Sequence, residues 1–138
     1  MPAVNFRHDR RQIIVPTAIY RPNNPQYFEV ARALVDTGAS ISGVSRAVAD
    51  RLDLPRRGKQ LITTPSGQHV ARLYAAGIGL FPSQSGEFDR VSLPHMLPDV
   101  FMMIECSPGT QFDILLGMDV LGQCDLYIRP DGTGALIF

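Results

Sequence analysis

The stretch RALVDTGASISGVS, residues 32–45, decides how the fold of this chain is interpreted. An apolar run at 33–35 leads directly into Asp36, which is followed by Thr37 and Gly38. A carboxylate at a junction between strand and turn can point into a cleft instead of into solvent. The glycine lets the backbone turn tightly or approach a ligand, and the threonine hydroxyl can lock the loop through a local hydrogen bond. The pattern predicts either a catalytic carboxylate or a turn-capping one, because Asp-Thr-Gly is also favourable turn chemistry.

The length and composition predict one globular domain spanning residues 1–138. Hydrophobic residues make up 45% and charged residues 19%, which is typical of a chain with a packed core and not of a disordered one. Lys and Arg together number 13, as do Asp and Glu, so the formal net charge is zero. Phosphate binding needs a basic excess, so nucleic acid is not expected as the main partner. The one basic cluster lies in residues 1–11, which we expect to form a flexible, solvated N-terminal arm.

The cysteines and histidines form no recognisable metal or disulfide pattern. Cys106 and Cys124 are too few for a disulfide framework and match no zinc spacing, so two reduced thiols are expected. The three histidines are scattered without ligand spacing, and we expect no metal. The N-terminus has no apolar signal region and no run is long enough to span a membrane. These features predict a cytoplasmic protein with no membrane partner.

Most of the chain consists of short β-prone segments separated by turn signals. Residues 12–20 contain Pro16, which predicts an edge position or a bulge. Pro65-Ser66-Gly67 predicts the tip of a hairpin between two strands within 59–81. The further predicted strands cover 27–35, 88–93, 100–105, an apolar stretch ending at Gly117, 125–129 and 135–138. A turn is predicted at 107–111.

Two short helices complete this mainly β pattern. Ser45 is positioned to cap a helix over 45–54, and Pro55 lies just beyond its end. A second helical piece is predicted at 118–121, where Asp119 is a first-turn charge favoured by the helix dipole.

A single carboxylate cannot efficiently both activate water and protonate a leaving group, whereas two carboxylates in contact can. Like charges held in contact cannot both ionise, so such a pair shares one proton. The chain contains one Asp-[Ser/Thr]-Gly; the sequence Asp-Gly-Thr-Gly at 131–134 has another order and is interpreted as a turn. A second catalytic carboxylate would therefore come from a second copy of the chain, across a two-fold axis.

Two segments carry a resemblance to a known family. Leu34–Ser40 resembles the active-site loop of aspartic proteases, and Ile114–Leu121 is similar to the Ile-Leu-Leu-Gly-plus-helix element of the retroviral-type branch, the retropepsins. The order of the elements between the two segments also fits, and the resemblance covers roughly residues 12–138. This resemblance implies a mainly β, closed retropepsin-like barrel with one or two short helices. It further implies a homodimer that acts without a cofactor as an aspartic endopeptidase on extended polypeptide.

The resemblance also implies roles for individual residues. Asp36 of each protomer would form the catalytic dyad, and Thr37 would brace the two loops across the axis. Gly38, Ala39 and Ser40 would bind substrate, and Gly117 would be a structural glycine before the helix. The implied flap, which would close over the substrate, consists of Thr64, Pro65, Ser66, Gly67 and Gln68.

Some positions depart from the viral pattern. Ser40 stands where viral members commonly carry an acidic residue, Met118 stands where they often have arginine, and extra residues lie near 82–100. The match is therefore closer to cellular or bacterial stand-alone relatives. Two alternatives stay open: a catalytically silent dimer that binds peptides or a partner in the same cleft, and a monomer of unrelated fold in which Asp36 merely ends a strand. The hairpin around Ser66 is equally compatible with an ordinary surface hairpin.

Overall fold

The computed structural model describes residues 2–83, 93–107 and 111–138. Within these ranges the chain is mainly β, with two short helices, as predicted. Most of the predicted strand at 88–93, and residues 108–110 of the turn at 107–111, lie outside the described residues. The elements are β1 Ala3–Arg7, β2 Ile14–Tyr20, β3 Phe28–Val35, β4 Gly43–Ser45, α1 Arg46–Arg51, β5 Arg56–Thr64, β6 Gly67–Leu80, β7 His95–Met96, β8 Phe101–Cys106, β9 Ile114–Leu116, α2 Met118–Leu121, β10 Asp125–Ile128 and β11 Thr133–Ile137.

The strands form two sheets. The larger sheet has the order β2-β3-β9-β4-β8-β6-β5, with β7 paired to β6, and β2 also pairs with β6. Pairing therefore returns from β6 to β2. The smaller sheet has the order β1-β11-β10. Apolar side chains from both sheets form one core cluster, which includes Val15, Ile19, Tyr74, Leu116 and Leu136.

Pro16 occupies a part of β2 that has one neighbouring strand. It lies opposite Arg32 of β3, whereas the pairing of β2 with β6 covers only Thr17–Tyr20. Proline has no N–H to donate, so it is tolerated where one side of the strand is unpaired. The predicted edge position is confirmed within the described pairings.

Helix α1 begins as the sequence predicts. The hydroxyl of Ser45 accepts a hydrogen bond from the backbone N–H of Val48 at 3.3 Å, which satisfies one of the unpaired donors of the first turn. Val48 and Ala49 are buried, and the partly buried Leu52 packs against the core beside them. The helix joins directly onto β4, so its cap also fixes the end of a core strand.

The N-terminal segment differs from the predicted flexible arm over residues 1–11. Ala3–Arg7 form β1 and pair in antiparallel register with β11. Val4 and Phe6 are only 2% and 1% exposed. Their alternate spacing places both on the core face of a strand, and this burial outweighs the tendency of the nearby charged residues to remain solvated.

Candidate functional site

The Asp36 loop leaves the sheet where two parallel strands end. β3 and β9 pair in parallel, with Val35 opposite Leu116. The backbone N–H of Asp36 donates to the carbonyl oxygen of Leu116 at 3.0 Å, which extends the ladder by one residue. The two sequence segments that suggested a site are therefore direct neighbours in the sheet.

The loop holds one oxygen of the Asp36 carboxylate in place. Oδ1 accepts a hydrogen bond from the backbone N–H of Gly38 at 2.9 Å, and the N–H of Ala39 donates to the carbonyl oxygen of Asp36 at 3.2 Å. No described residue donates a hydrogen bond to Oδ2. Asp36 is half-buried, while Thr37 and Gly38 are exposed. One carboxylate oxygen is thus fixed and the other can accept a hydrogen bond from water, a substrate or a second acid.

Gly117 lies where a side chain would collide with the Asp36 loop. A Cβ at this position would lie 2.8 Å from the carbonyl carbon of Ile41 and 2.9 Å from the carbonyl oxygen of Ala39. The backbone N–H of Met118 donates to that same Ala39 oxygen at 2.7 Å. The lack of a side chain at Gly117 therefore lets the start of α2 press directly against the loop.

Ser42 and Asp119 form a clamp that the sequence did not reveal. The Ser42 hydroxyl donates to Oδ1 of Asp119 at 2.6 Å and accepts from the N–H of Gly117 at 2.9 Å, while the Ser42 N–H donates to Oδ2 of Asp119 at 3.1 Å. Ser42 is fully buried. Asp119 is in the first turn of α2 as predicted, but its carboxylate also binds the segment that follows the Asp36 loop. The available signal was that polar residues occur in or directly after the two segments that carry the family resemblance.

The predicted flap residues lie at the end of a projecting hairpin. β5 and β6 pair with each other from Lys59–Arg72 to Thr64–Gly67, whereas the pairing of β6 with β8 begins at Leu73. Gly67 has a φ of 121°, a conformation that favours glycine. The structure thus joins Asp36 through Ala39 to Gly117 in one packed unit and places the hairpin on a separate element.

Two cavities flank the Asp36 loop. One, of about 660 Å³, has an apolar wall that includes Val35, Leu126 and Ile128, and it is bordered by Thr37 and by Arg129. The other, of about 530 Å³, is lined by residues that include Ser40, Ile41 and Met102. The exposed Ser40 thus borders open space on one side of the loop, and Thr37 borders it on the other.

Among the described residues, no cluster of His, Cys, Asp and Glu is suited to hold a metal ion, and no helix has the length and apolar character that a membrane span requires. Cys106 and Cys124 are both free thiols. Burial and the neighbouring carboxylates of Asp113 and Glu105 raise the pKa of Cys106 to about 11.

Comparisons with known proteins agree with this arrangement. A family model described as "gag-polyprotein putative aspartyl protease" matches residues 29–123, a range that includes both the Asp36 loop and the Gly117 element. The crystal structure of a retropepsin-like aspartic protease from Rickettsia conorii resembles the chain with a TM-score of 0.57 and 17% sequence identity, over 99% of this chain and 90% of that one. At this identity the structural likeness shows the fold alone. No curated protein sequence matches the chain.

Proposed function

Because the chain belongs to the gag-polyprotein aspartyl protease family, we propose that it is an aspartic endopeptidase whose dyad combines Asp36 from two protomers. The observation that carries this proposal is the geometry of the Asp36 loop. Oδ1 is held by the Gly38 N–H, Oδ2 has no donor among the described residues, and the neighbouring Thr37 is exposed. One carboxylate is thereby presented in a fixed orientation at a surface that a second copy can meet.

The chemistry would follow from sharing one proton between the two carboxylates. The ionised Asp36 would remove a proton from a bound water, whose oxygen attacks the carbonyl carbon of the scissile peptide bond. The protonated Asp36 of the second copy would donate its proton to the carbonyl oxygen as the tetrahedral intermediate forms. Breakdown of the intermediate would then return a proton to the leaving amine, and the two carboxylates would exchange roles.

Neighbouring residues would position the dyad and the substrate. Thr37 would hydrogen-bond across the two-fold axis, because its side chain is next to the catalytic carboxylate and exposed. Gly38, Ala39 and Ser40 would contact substrate backbone. Gly117 would keep the loop in place through the close packing described above.

The hairpin formed by β5 and β6 would act as the flap. Its outer part pairs only with itself among the described pairings, so it can bend without disturbing the core strands. Closure over an extended polypeptide would exclude water from the dyad, and main-chain hydrogen bonds would hold the substrate as an added strand. Thr64, Pro65, Ser66, Gly67 and Gln68 would form the closing tip.

Each protomer would contribute one closed barrel to the homodimer. The pairing of β2 with both β3 and β6 supports closure of the larger sheet. The cytoplasmic location stays a prediction from the sequence.

Incubation with an unfolded polypeptide from acid to neutral pH tests the proposal. We expect cleavage by the wild-type chain and none by Asp36→Asn, which keeps the size of the side chain but cannot ionise. Asp50→Asn is the matched control, because Asp50 is an exposed carboxylate on α1 whose ion pair with Arg46 is 3.7 Å long. Equal cleavage by Asp36→Asn and wild type would contradict the proposal. Absence of cleavage together with retained peptide binding would favour the catalytically silent binding module.

A further inference from the structure

Pro65 and Ser66 form the tip of the β5–β6 hairpin. They connect Thr64 and Gly67, which are the last pair in the register of the two strands. Proline has no backbone N–H, so Pro65 can accept a hydrogen bond from a ligand but cannot donate one. Ser66 has a backbone N–H and a hydroxyl, and the hydroxyl can either donate or accept. Of these two tip residues, Ser66 is therefore the one that can donate a hydrogen bond to a ligand.

The Ser66 hydroxyl is in contact with a histidine of the same hairpin. Its oxygen lies 3.0 Å from Nε2 of His69, and both residues are exposed. The direction of this hydrogen bond depends on the state of the ring. A protonated imidazole donates from Nε2, whereas a neutral ring with its proton on Nδ1 accepts at Nε2. The protonation of His69 thus decides whether the Ser66 proton is used within the hairpin or is available to a ligand.

The pair lies on the face of the hairpin that is turned toward the rest of the chain. His69 is directly opposite Ile62 in the register of β5 and β6, and Ala71 is buried. Residues two positions apart on a strand share a face, so His69 is on the face that Ala71 packs against the protein. Ser66, His69, Ile62 and Ala71 line one cavity of about 840 Å³.

The other wall of this cavity comes from the start of α1 and the end of β8. Arg46 and Ala47 of α1 line it together with residues 104–107. β8 pairs in parallel with β4, which is the first strand after the Asp36 loop. Under the proposed function, a polypeptide that reaches Asp36 beneath the hairpin would therefore extend along this cavity and pass the Ser66 hydroxyl.

We propose that the Ser66 hydroxyl is the group through which the hairpin binds a carbonyl oxygen of the substrate, and that His69 is its positioning residue. When His69 is protonated, Nε2 donates to the Ser66 oxygen, and the hydroxyl proton points to the substrate. When His69 is neutral, the hydroxyl proton is directed to Nε2 and the hydrogen bond to the substrate is lost. The inference rests on the proposed function, since it names a substrate contact of the hairpin and its dependence on pH.

The charged groups around His69 come from the hairpin, from α1 and from β8. On the hairpin, Lys59 and Arg72 are directly opposite each other. Arg72 is three positions from His69, so this pair lies on the other face. Across the cavity are Arg46 of α1 and Glu105 of β8.

Histidine is the side chain whose charge ordinarily changes between about pH 5 and pH 8. Arginine and glutamate ordinarily titrate outside about pH 5–8, and the Arg46 guanidinium lies 3.7 Å from the Asp50 carboxylate. The Cys106 thiol also lines the cavity, but burial raises its pKa to about 11, so it stays protonated. A change in substrate binding over this range that requires both Ser66 and His69 is therefore assigned to their hydrogen bond.

Steady-state kinetics at about pH 5 and about pH 8 test the inference. The substrate is a synthetic peptide that spans a bond cleaved by the wild-type chain in an unfolded polypeptide. We expect Ser66→Ala to raise KM roughly three- to tenfold at the lower pH, as the loss of one net hydrogen bond would, with a smaller change in kcat. At the higher pH its KM should match that of the wild type. Ser66→Thr keeps a hydroxyl and should retain the wild-type pH profile.

Two further variants assign the effect. In a His69→Gln background, which cannot titrate, Ser66→Ala should change KM by the same factor at both pH values. Thr63→Val is the matched control for loss of a hairpin hydroxyl. Thr63 is exposed and is paired with Gln68, on the other face from His69, so its KM should follow the wild type at both pH values.

The outcomes separate this contact from the catalytic proposal. Cleavage that depends on Asp36, with an equal effect of Ser66→Ala at both pH values in the wild-type background or with no effect at either, would overturn the roles of Ser66 and His69 and leave the protease intact. A pH-dependent effect of Ser66→Ala that persists in the His69→Gln background would overturn the role of His69. Absence of cleavage by the wild-type chain at every pH would overturn both proposals.

Discussion

Replacing Ser42 with alanine tests how the Asp36 loop is held. The substitution removes the 2.6 Å hydrogen bond to Asp119 and the acceptor of the Gly117 N–H at 2.9 Å. A hydrogen bond to a charged group contributes about 1.5–3 kcal/mol, and a buried donor left without a partner costs about 1–3 kcal/mol. The two effects share one side chain and are not fully additive. We expect the free energy of unfolding to fall by roughly 2–4 kcal/mol.

Ser45→Ala is the matched control for this prediction. Ser45 is also fully buried and lies three residues away, but its hydroxyl accepts one long hydrogen bond, 3.3 Å from the Val48 N–H. Loss of such an N-cap costs typically about 1 kcal/mol. Urea unfolding followed by circular dichroism gives both values. The protein concentration must be the same throughout, because association stabilises the folded chain.

The activity of Ser42→Ala should change as well. Misplacement of a reacting group by about 1 Å can lower a rate by roughly a hundredfold, and the clamp positions the loop that carries Asp36. We therefore expect kcat to fall by more than KM rises, whereas Ser45→Ala should leave both close to wild type. Equal losses of stability in Ser42→Ala and Ser45→Ala, with unchanged kcat in both, would refute the reasoning that Ser42 and Asp119 hold the site.

Gly117, Gly67 and Cys106 provide tests of three other features of the structure. Gly117→Ala should lower the free energy of unfolding, measured in urea, by about 2 kcal/mol or more. The added Cβ would clash with backbone atoms of Ile41 and Ala39, which cannot move aside as a flexible side chain could. An unchanged midpoint of urea unfolding would contradict the close packing. Gly67→Ala should slow cleavage with little loss of core stability, because its φ of 121° is unfavourable for alanine at the hairpin tip, and unchanged kinetics would argue against a closing flap. The pKa of Cys106 is raised from 9.0 to about 11, so at pH 8.5 its alkylation should be roughly a hundredfold slower than that of an unperturbed thiol. Because the folded state holds this proton more tightly, stability should decrease as pH rises from about 9 to about 11, and fast labelling of the folded protein would contradict the burial.

The parts of the fold that were predictable are those with local causes. Ser45 caps α1 through its own side chain, and Pro55 lies just beyond the helix. The hairpin tip at Pro65 and Ser66 follows from proline and glycine geometry, which does not depend on distant residues. Pro16 likewise indicated a strand segment with a neighbour on one side only, because proline has no N–H to donate to a second neighbouring strand in any sheet.

The N-terminal segment was predicted wrongly for a physical reason. Charge density near residues 7–11 suggested a solvated arm, but strand formation here depends on β11, more than 120 residues later in the chain. The alternation of Val4 and Phe6 was present in the sequence. Over so few residues, such alternation becomes informative only when a partner strand and a core are known.

The candidate site shows the same limit. Asp36, Thr37 and Gly38 were recognisable as candidates because their types and order match a known catalytic motif. Ser42 and Asp119 were not, since a serine and an aspartate 77 positions apart have no signature until β3 and β9 are known to pair in parallel. Candidates for reacting residues can thus be proposed from a short motif, whereas the residues that hold them depend on which strands become neighbours.

The Asp36 loop is fixed on one side and open on the other, and under the proposed function this asymmetry would link catalysis to assembly. Toward α2, the loop is held by the Met118 N–H on Ala39 and by the Ser42 clamp. Toward the cavity bordered by β10, Thr37 is exposed. A loop already held by its own chain would lose little conformational freedom when a second copy arrives, so more of the contact energy of the interface would remain available for association. Under the proposed function, Ser42→Ala should therefore weaken catalysis while the Kd of the dimer stays near the wild-type value. Kinetics and sedimentation on this variant measure the two properties separately, and a matching loss of both would show that the loop and the association of two copies are not separable.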